Sequence, residues 1–93
     1  MILLTAEAIS DIERLREFPQ PKNPDAAARA LRAIWSALER VESFPNLGRP
    51  TGDPRIHQIV VASGARAYIV RYTVLPGNEA ILVTRIWHGR ELR

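Results

Sequence analysis

The spacing of apolar residues changes partway along the chain, from a helical period in the first half to a strand-like pattern in the second. Ala8, Ile12 and Leu15 lie three or four positions apart, which predicts an amphipathic first helix. Thr5 precedes them and has the hydroxyl group that an N-cap position favours. We interpret the charged stretch from Asp11 to Glu17 as a solvated face of this helix with charge pairs along it.

A second, longer helix is predicted from about residue 25 to residue 44. Asp25 is a suitable N-cap, and apolar residues recur behind it at helical spacing: Ala27, Leu31, Ile34, Leu38 and Val41. The segment PQPKNP, residues 19–24, separates the two helices and contains three prolines, which do not continue a helix. A short link of this kind predicts a hairpin of two antiparallel helices.

The second half of the chain predicts a three-stranded antiparallel meander. The loop PNLGRPTGDP, residues 45–54, contains three prolines and two glycines and separates the helices from the strands. Three β-rich or alternating runs follow, joined by short turns: residues 55–62, 65–74 and 80–87. Pro76 and Gly77, between the last two runs, are placed as a type II turn prefers.

Together these elements predict one α+β domain over residues 1–93, with the order β-α-α-β-β-β. The apolar start MILL is a brief strand at the sheet edge. The helical hairpin packs on one face of the small antiparallel sheet, because each layer must bury an apolar surface. Arg71 points to the opposite, uncovered face by strand alternation. The face on which His88 lies depends on strand register, which the sequence leaves open.

Composition limits the class of protein. The hydrophobic fraction of 46% is that of an ordinary globular protein. The absence of cysteine excludes disulfides and thiolate chemistry, and it suits a reducing cytoplasm. No apolar stretch approaches the roughly 20 residues of a membrane span, and the first residues lack the basic region of a signal peptide. We therefore expect a cytoplasmic protein without membrane contact.

The charge distribution points to an anionic partner. The net charge is +3, and twelve of the thirteen basic residues are arginine. From Gly48 onward there are seven basic and three acidic residues, against six and seven before it. This asymmetry indicates either a nucleic acid or an acidic protein as partner, or a composition bias with solvated side chains. Two histidines without cysteine do not make a structural zinc site, so we expect no metal and no cofactor.

Four segments resemble the RelE/ParE superfamily of toxins from bacterial type II toxin–antitoxin systems: TAEAISDIERL, FPNLGRP, YIVRY and RIWHGREL. They are similar, in this order, to the first helix, the helix-to-sheet loop, the central strand and the terminal strand of the family. The resemblance implies the two-layer RelE/ParE-like fold and a toxin that serves plasmid stabilisation. It also implies a hetero-oligomer, 2:2 or larger, with a small ParD-like antitoxin that has a ribbon-helix-helix DNA-binding domain.

The superfamily divides by target. RelE-like members resemble ribosome-dependent mRNA endoribonucleases. ParE-like members, by contrast, resemble toxins that poison DNA gyrase and catalyse no reaction themselves. The ribonuclease branch has an arginine three positions before the second tyrosine of the central strand, where this chain has Ile69. The HGR ending, with Arg85 three positions before His88, looks more like the ParE branch. The resemblance therefore favours a gyrase inhibitor, with an endoribonuclease or an inactive antitoxin-binding relative as alternatives.

The resemblance and the basic end of the chain imply a target-recognition edge in the terminal segment: Arg85, His88, Gly89, Arg90 and Arg93. In an endoribonuclease the catalytic residues would be Arg71, His88 and Arg90, because RNA cleavage needs cations at the phosphate and a proton donor for the leaving oxygen. A histidine at a strand end is more simply a hydrogen-bonding residue. Trp35 and Trp87 are either packing residues or contacts for the antitoxin, since tryptophan is enriched at interface hot spots.

Overall fold

The computed structural model describes residues 1–17, 24–78 and 80–89, and it places two helices against one face of a five-stranded sheet. The helices are α1, Ala6–Glu17, and α2, Pro24–Ser43. The strands β1 to β5 are Ile2–Leu4, Arg49–Pro50, His57–Ser63, Arg66–Val74 and Ile81–His88. The strand order is β1-β5-β4-β3-β2. The predicted two-layer α+β fold is therefore confirmed, including the edge position of β1.

The sheet is mixed, whereas the sequence predicted antiparallel pairing. β3, β4 and β5 form the expected antiparallel meander, but β1 runs parallel to β5, with Ile2 opposite Ile81. The predicted loop at residues 45–54 contains the two-residue strand β2, which pairs with β3 at the other edge. Pro50 has no N–H to donate, which restricts it to an edge strand of this kind.

The residue types at the starts of the helices and at the β4–β5 turn explain the local backbone structure there. The N–H of Ala8 donates to the Thr5 hydroxyl at 3.1 Å, so Thr5 caps α1 as predicted. The helix α2 begins at Pro24, which places Asp25 in its first turn and not at the N-cap. Proline is favoured at the first helical position because its missing N–H would have no helical partner there. Gly77 has φ 82° and ψ 2°, the geometry of the third residue of a type II turn.

The core lies between the helices and the inner face of the sheet. The predicted stripes of both helices are buried or half-buried there. From the sheet, Tyr68, Val70 and Tyr72 of β4 face the helices and are at most 1% exposed. Asp11 departs from the predicted solvated face, because it is only 2% exposed. Neither α1 nor α2, as described, is apolar over a length that could cross a membrane.

A β-bulge in β5 interrupts its pairing with β4. Tyr72 pairs with Val83, and the neighbouring Arg71 pairs with Arg85, so Thr84 is an extra residue between the two pairs. The Thr84 hydroxyl donates to the carbonyl of Arg71 at 3.3 Å. A bulge of one residue exchanges the two faces of a strand for every residue beyond it.

The bulge decides which side chains at the end of β5 meet the helices. Ile86 and His88 are 0% and 4% exposed and lie on the inner face. Arg85 and Trp87 lie on the outer face. Without the extra residue, alternation would place Arg85 and Trp87 toward the helices and His88 outside.

Tyr72 fastens the loop after α2 to the core. Its hydroxyl donates to the carbonyl of Pro45 at 2.8 Å and accepts from the N–H of Gly48 at 2.8 Å. Burial raises the pKa of Tyr72 above its ordinary value, although the Gly48 hydrogen bond opposes the shift. A Cβ atom at Gly48 would lie 2.6 Å from the Tyr72 hydroxyl oxygen. The loop can approach the ring this closely because residue 48 has no side chain.

Gly48→Ala is expected to lower the free energy of unfolding by about 1–3 kcal/mol, the usual cost of overpacking, because the new methyl group must displace the Tyr72 ring or the loop. Gly52→Ala is the matched control, since a Cβ atom there meets no atom within 4 Å. Urea unfolding followed by circular dichroism measures both variants. Equal stability of the two would show that the close approach does not constrain the fold.

Candidate functional site

The uncovered face of the sheet carries two arginines and a tryptophan, here called the outer cluster: Arg71, Arg85 and Trp87. The guanidinium carbons of Arg71 and Arg85 lie 4.9 Å and 5.0 Å from the centroid of the Trp87 ring, within the range of a cation–π interaction. All three side chains are partly exposed. The outer cluster therefore presents cationic groups and an aromatic ring on the face that the helices leave open.

Within the outer cluster, Arg71 has only neutral contacts among the described residues. Its Nε donates to Oε1 of Gln58, on the neighbouring strand, at 2.9 Å, and its guanidinium lies over Trp87. No described carboxylate forms an ion pair with it. Ile69, also on β4, lies on the same face. The charge of Arg71 is thus available to an external anion.

Arg85 is held in place by Asp11 of α1. Its Nε and Nη2 donate to the two carboxylate oxygens of Asp11 at 2.8 Å and 3.2 Å. Asp11 also accepts from Nη1 of Arg14 at 2.6 Å and from the backbone N–H of Ile86 at 2.8 Å. A buried carboxylate with this many donors keeps its charge and orients each donor.

Contacts of this kind also satisfy backbone groups along the edge of β5. The strand β1 pairs with only the first part of β5, so no described strand pairs with the later part on that side. The Thr5 hydroxyl donates to the carbonyl of Thr84 at 3.0 Å. At Ile86, Asp11 accepts from the N–H, and Arg14 donates to the carbonyl at 3.1 Å. Side chains at and near α1 therefore replace the missing strand.

The electrostatics of Asp11 follow from these donors. Burial alone would raise the pKa of Asp11, but hydrogen bonds from Arg85, from Arg14 and from the N–H of Ile86 outweigh it and hold the pKa below its ordinary value of 3.8. A carboxyl group whose pKa is lowered by folding stabilises the fold above its unfolded pKa. That contribution is lost as the pH falls through the folded pKa.

His88 lies on the opposite face of the sheet from the outer cluster. It is 4% exposed, and its ring packs edge-on against Tyr68 with the centroids 5.2 Å apart. Gly89, which is exposed, donates its N–H to the carbonyl of Ala67 at 2.8 Å. A Cβ atom at Gly89 would lie 3.1 Å from that oxygen, so a small residue suits the strand end.

The structure therefore does not bring all of the predicted site residues together. Arg71 and His88, two of the three residues named for catalysis, lie on opposite faces of the sheet. Arg90 and Arg93 lie outside the described residues. Asp11 is the residue that sequence reasoning missed, since an acidic residue amid charged neighbours looks solvated. Within the described ranges, no three histidine, cysteine, aspartate or glutamate side chains form a group that could hold a metal ion.

Trp35 lies on a different surface from Trp87. It is 45% exposed on α2 and borders a groove of about 340 Å³ on the helical layer. The groove is lined almost entirely by apolar side chains: Ile12, Leu31, Arg32, Ile34, Trp35 and Leu38. The two tryptophans named as antitoxin contacts are thus on separate faces of the molecule.

A larger cleft, of about 500 Å³, lies between α2, the following loop and β3. It is lined by Ala37, Arg40, Leu47, Arg49, Gln58, Ile59 and Val60. Leu47 and Val60 are 51% and 66% exposed, and the two arginines add positive charge. This mixture suits a contact surface more than a catalytic centre, and Gln58, which accepts from Arg71, connects the cleft to the outer cluster. Leu47, an apolar residue in a turn-rich loop, is the sequence signal that points to it.

Comparison with known proteins identifies the family. The family model described as the ParE toxin of the type II toxin–antitoxin system parDE matches residues 2–93. The chain belongs to this ParE toxin family. The RelE/ParE resemblance drawn from the sequence is thereby confirmed, and the outer cluster and the terminal strand are features of a type II toxin.

Relatives of this ParE family member include proteins named RelE. Toxin RelE1 of Caulobacter vibrioides is 36% identical over 92 residues, with 99% of this chain and 96% of the relative covered. Toxin RelE3 of the same organism is 32% identical over 90 residues, with 97% and 95% covered. The toxin–antitoxin complex RelBE of E. coli contains a chain with the same fold, at a TM-score of 0.63 and 15% identity, with 94% of this chain and 93% of that chain covered.

Asp11→Asn is expected to lower the free energy of unfolding at pH 7 by about 1–3 kcal/mol, because the amide cannot accept from all of the buried donors. The wild-type protein should lose this advantage as the pH falls below the ordinary Asp11 pKa of 3.8, so the two stability curves converge in acid. Glu39→Gln, on the exposed face of α2, removes one negative charge as a control. Parallel curves for wild type and Asp11→Asn, from urea unfolding between pH 3 and pH 7, would contradict the prediction.

Proposed function

We propose that this toxin binds and inhibits DNA gyrase without chemistry of its own and that a ParD-like antitoxin neutralises it. The position of His88 carries the proposal. An endoribonuclease needs a cation and a proton-transfer group at the same phosphate. His88 is buried on the inner face beside Tyr68, whereas Arg71 is on the outer face over Trp87. This arrangement supports recognition in preference to catalysis.

The outer cluster has the chemistry of a protein contact. A guanidinium group pairs with two acceptor oxygens at once, and arginine and tryptophan are enriched at interface hot spots. Asp11 already holds Arg85, so the Arg85 side chain would lose less conformational entropy when the target binds. The surface that we propose for the target comprises the outer cluster and Gly89. Arg90 and Arg93, which the sequence also assigns to target recognition, lie outside the described residues. His88, being buried, would support the strand end from beneath.

The antitoxin is proposed to fill the apolar groove beside Trp35. Trp35 is 45% exposed at the edge of this groove, tryptophan is enriched at hot spots of protein interfaces, and the E. coli protein of similar fold is part of a toxin–antitoxin complex. A ribbon-helix-helix antitoxin that dimerises would produce a 2:2 or larger assembly. Neutralisation then requires that the bound antitoxin also cover Trp87 or another part of the outer cluster.

The names of two relatives favour the endoribonuclease as a second candidate function. Toxins RelE1 and RelE3 are 36% and 32% identical to this chain. In that mechanism Arg71 and Arg90 would hold the phosphate of a ribosome-bound mRNA. His88 would have to leave its contact with Tyr68 to reach the same phosphate, so the strand end would have to rearrange on the ribosome.

Purified toxin is expected to inhibit DNA supercoiling by gyrase and to leave mRNA on ribosomes intact. Arg71→Glu should weaken the inhibition about tenfold or more, because it reverses a charge at a proposed hot spot. Arg16→Glu, on an exposed position of α1, is the charge-matched control. Arg85 is a poorer choice for reversal, because a carboxylate there would face buried Asp11 and destabilise the fold.

His88→Gln separates the two candidate functions. Under the gyrase proposal, inhibition per folded molecule stays unchanged, with folding checked by circular dichroism. If folded His88→Gln lost its toxicity in cells, and wild-type toxin cut mRNA on ribosomes, the endoribonuclease would be the correct function.

Trp35→Ala is expected to weaken antitoxin binding about tenfold or more, the loss typical of a tryptophan hot spot. Ile9→Ala is the control, because Ile9 is 47% exposed on α1 and does not line the groove. Isothermal titration of each variant with the antitoxin from the neighbouring gene measures the effect. Equal affinities of the two variants would place the antitoxin elsewhere.

A further inference from the structure

A second concentration of positive charge lies at the turn between β3 and β4. A cavity of about 220 Å³ opens there between the turn and the first turns of α2. It is lined by Ala26, Arg29, Ser63, Gly64, Ala65, Arg66 and Tyr68, none of which is acidic. Because Tyr68 is on the inner face and 1% exposed, the sheet separates this cavity from the outer cluster.

Arg66 contributes a buried guanidinium nitrogen that has no hydrogen-bond partner among the described residues. This nitrogen, Nη1, is shielded from solvent. The backbone of Arg66 is fixed opposite Ser63 as the first pair of β4 with β3. Shielding a charged donor without a partner is destabilising, because nothing replaces the water that it loses. A buried donor without a protein partner therefore indicates that a group from outside the protein pairs with it.

Arg29 places a second guanidinium group on the same cavity. No described carboxylate forms an ion pair with Arg29 or Arg66. Two cations at one cavity repel each other unless an anion lies between them. The hydroxyl group of Ser63, on the cavity wall, is a further hydrogen-bond donor. Three side chains at this cavity therefore offer donors for negatively charged oxygen, and none of the described residues that line it is acidic.

We propose that this cavity binds an oxyanion, either a carboxylate or a phosphate group, through Arg66, Arg29 and Ser63. Guanidinium groups pair with both kinds of group through parallel N–H donors. The group has two possible sources: a free phosphate-type anion, or an acidic side chain of the antitoxin. The second source rests on the proposed function, and the first does not.

Inorganic phosphate is the probe for the free toxin, titrated against chloride at equal ionic strength. Phosphate is expected to raise the midpoint of thermal unfolding in a saturable way, because it binds only the folded state. Arg66→Gln should weaken phosphate binding about tenfold or more, as for loss of a charge-assisted hydrogen bond. Arg55→Gln removes the same charge from an exposed residue paired with Asp53 and should bind phosphate like wild type.

Arg66→Met keeps the test decisive if Arg66→Gln folds poorly. In chloride alone it should unfold at the same temperature as wild type or higher, because it removes an unpartnered buried charge, and phosphate should no longer stabilise it. Equal stabilisation of wild type and the Arg66 variants by phosphate would overturn the proposal. Equal loss of stabilisation in Arg55→Gln and Arg66→Gln would also overturn it, since the effect would then follow net charge alone.

The toxin–antitoxin complex, co-expressed with the neighbouring gene, distinguishes the two sources. If phosphate binds free toxin but not the complex, and Arg66→Gln weakens antitoxin binding, an acidic side chain of the antitoxin occupies the cavity. If phosphate binds both equally, a free anion is the ligand. Phosphate binding to free toxin requires neither gyrase nor antitoxin, so failure of the proposed function would leave this result unaffected.

Discussion

The carboxylate of Asp11 is the interaction on which the arrangement of the terminal strand depends. It joins α1 to the backbone of β5 at Ile86 and, through its other contacts, to the guanidinium groups of Arg14 and Arg85. Without it, the N–H of Ile86, on the edge of β5 beyond β1, would lose its acceptor. Its charge is stabilised by hydrogen bonds from Arg14, Arg85 and the N–H of Ile86, which is why a buried acid is tolerated there.

The bulge at Thr84 and the Asp11 contacts act on the same stretch of β5. The bulge turns Arg85 and Trp87 to the outer face, and Asp11 then holds Arg85 from the strand edge. The outcome is a rigid cationic and aromatic surface on one side of the sheet and a buried His88 on the other. This division of the two faces is the observation on which the proposed target-binding function rests.

The molecule offers chemically different surfaces for different partners. The outer cluster is cationic and aromatic, the groove beside Trp35 is apolar, and the cavity at Arg66 is cationic. A domain of 93 residues has too small a core to cover all of its apolar surface. An antitoxin that contacts the groove and reaches the sheet would cover apolar and cationic surface together.

The sequence by itself determined the features that depend on neighbouring residues. The helical stripes, the Thr5 cap, the turn at Gly77 and the family-like segments were all readable from local spacing and residue type, and so was the two-layer fold. The functional residues were predictable only in part. Arg71 was assigned to the outer face correctly, because alternation along β4 is unbroken and the extra residue lies in β5.

Only the tertiary structure decided the burial of Asp11, the face of His88 and the pairing of Arg85. Each depends on a contact between segments far apart in the chain: Asp11 reaches Arg85 and Ile86 across 74 and 75 positions. The register of β5 changes at Thr84 through its pairing with β4, and no local pattern marks that residue as extra. A single added residue exchanges the two faces of a strand, so the side chains beyond it could be placed only after the sheet was assembled.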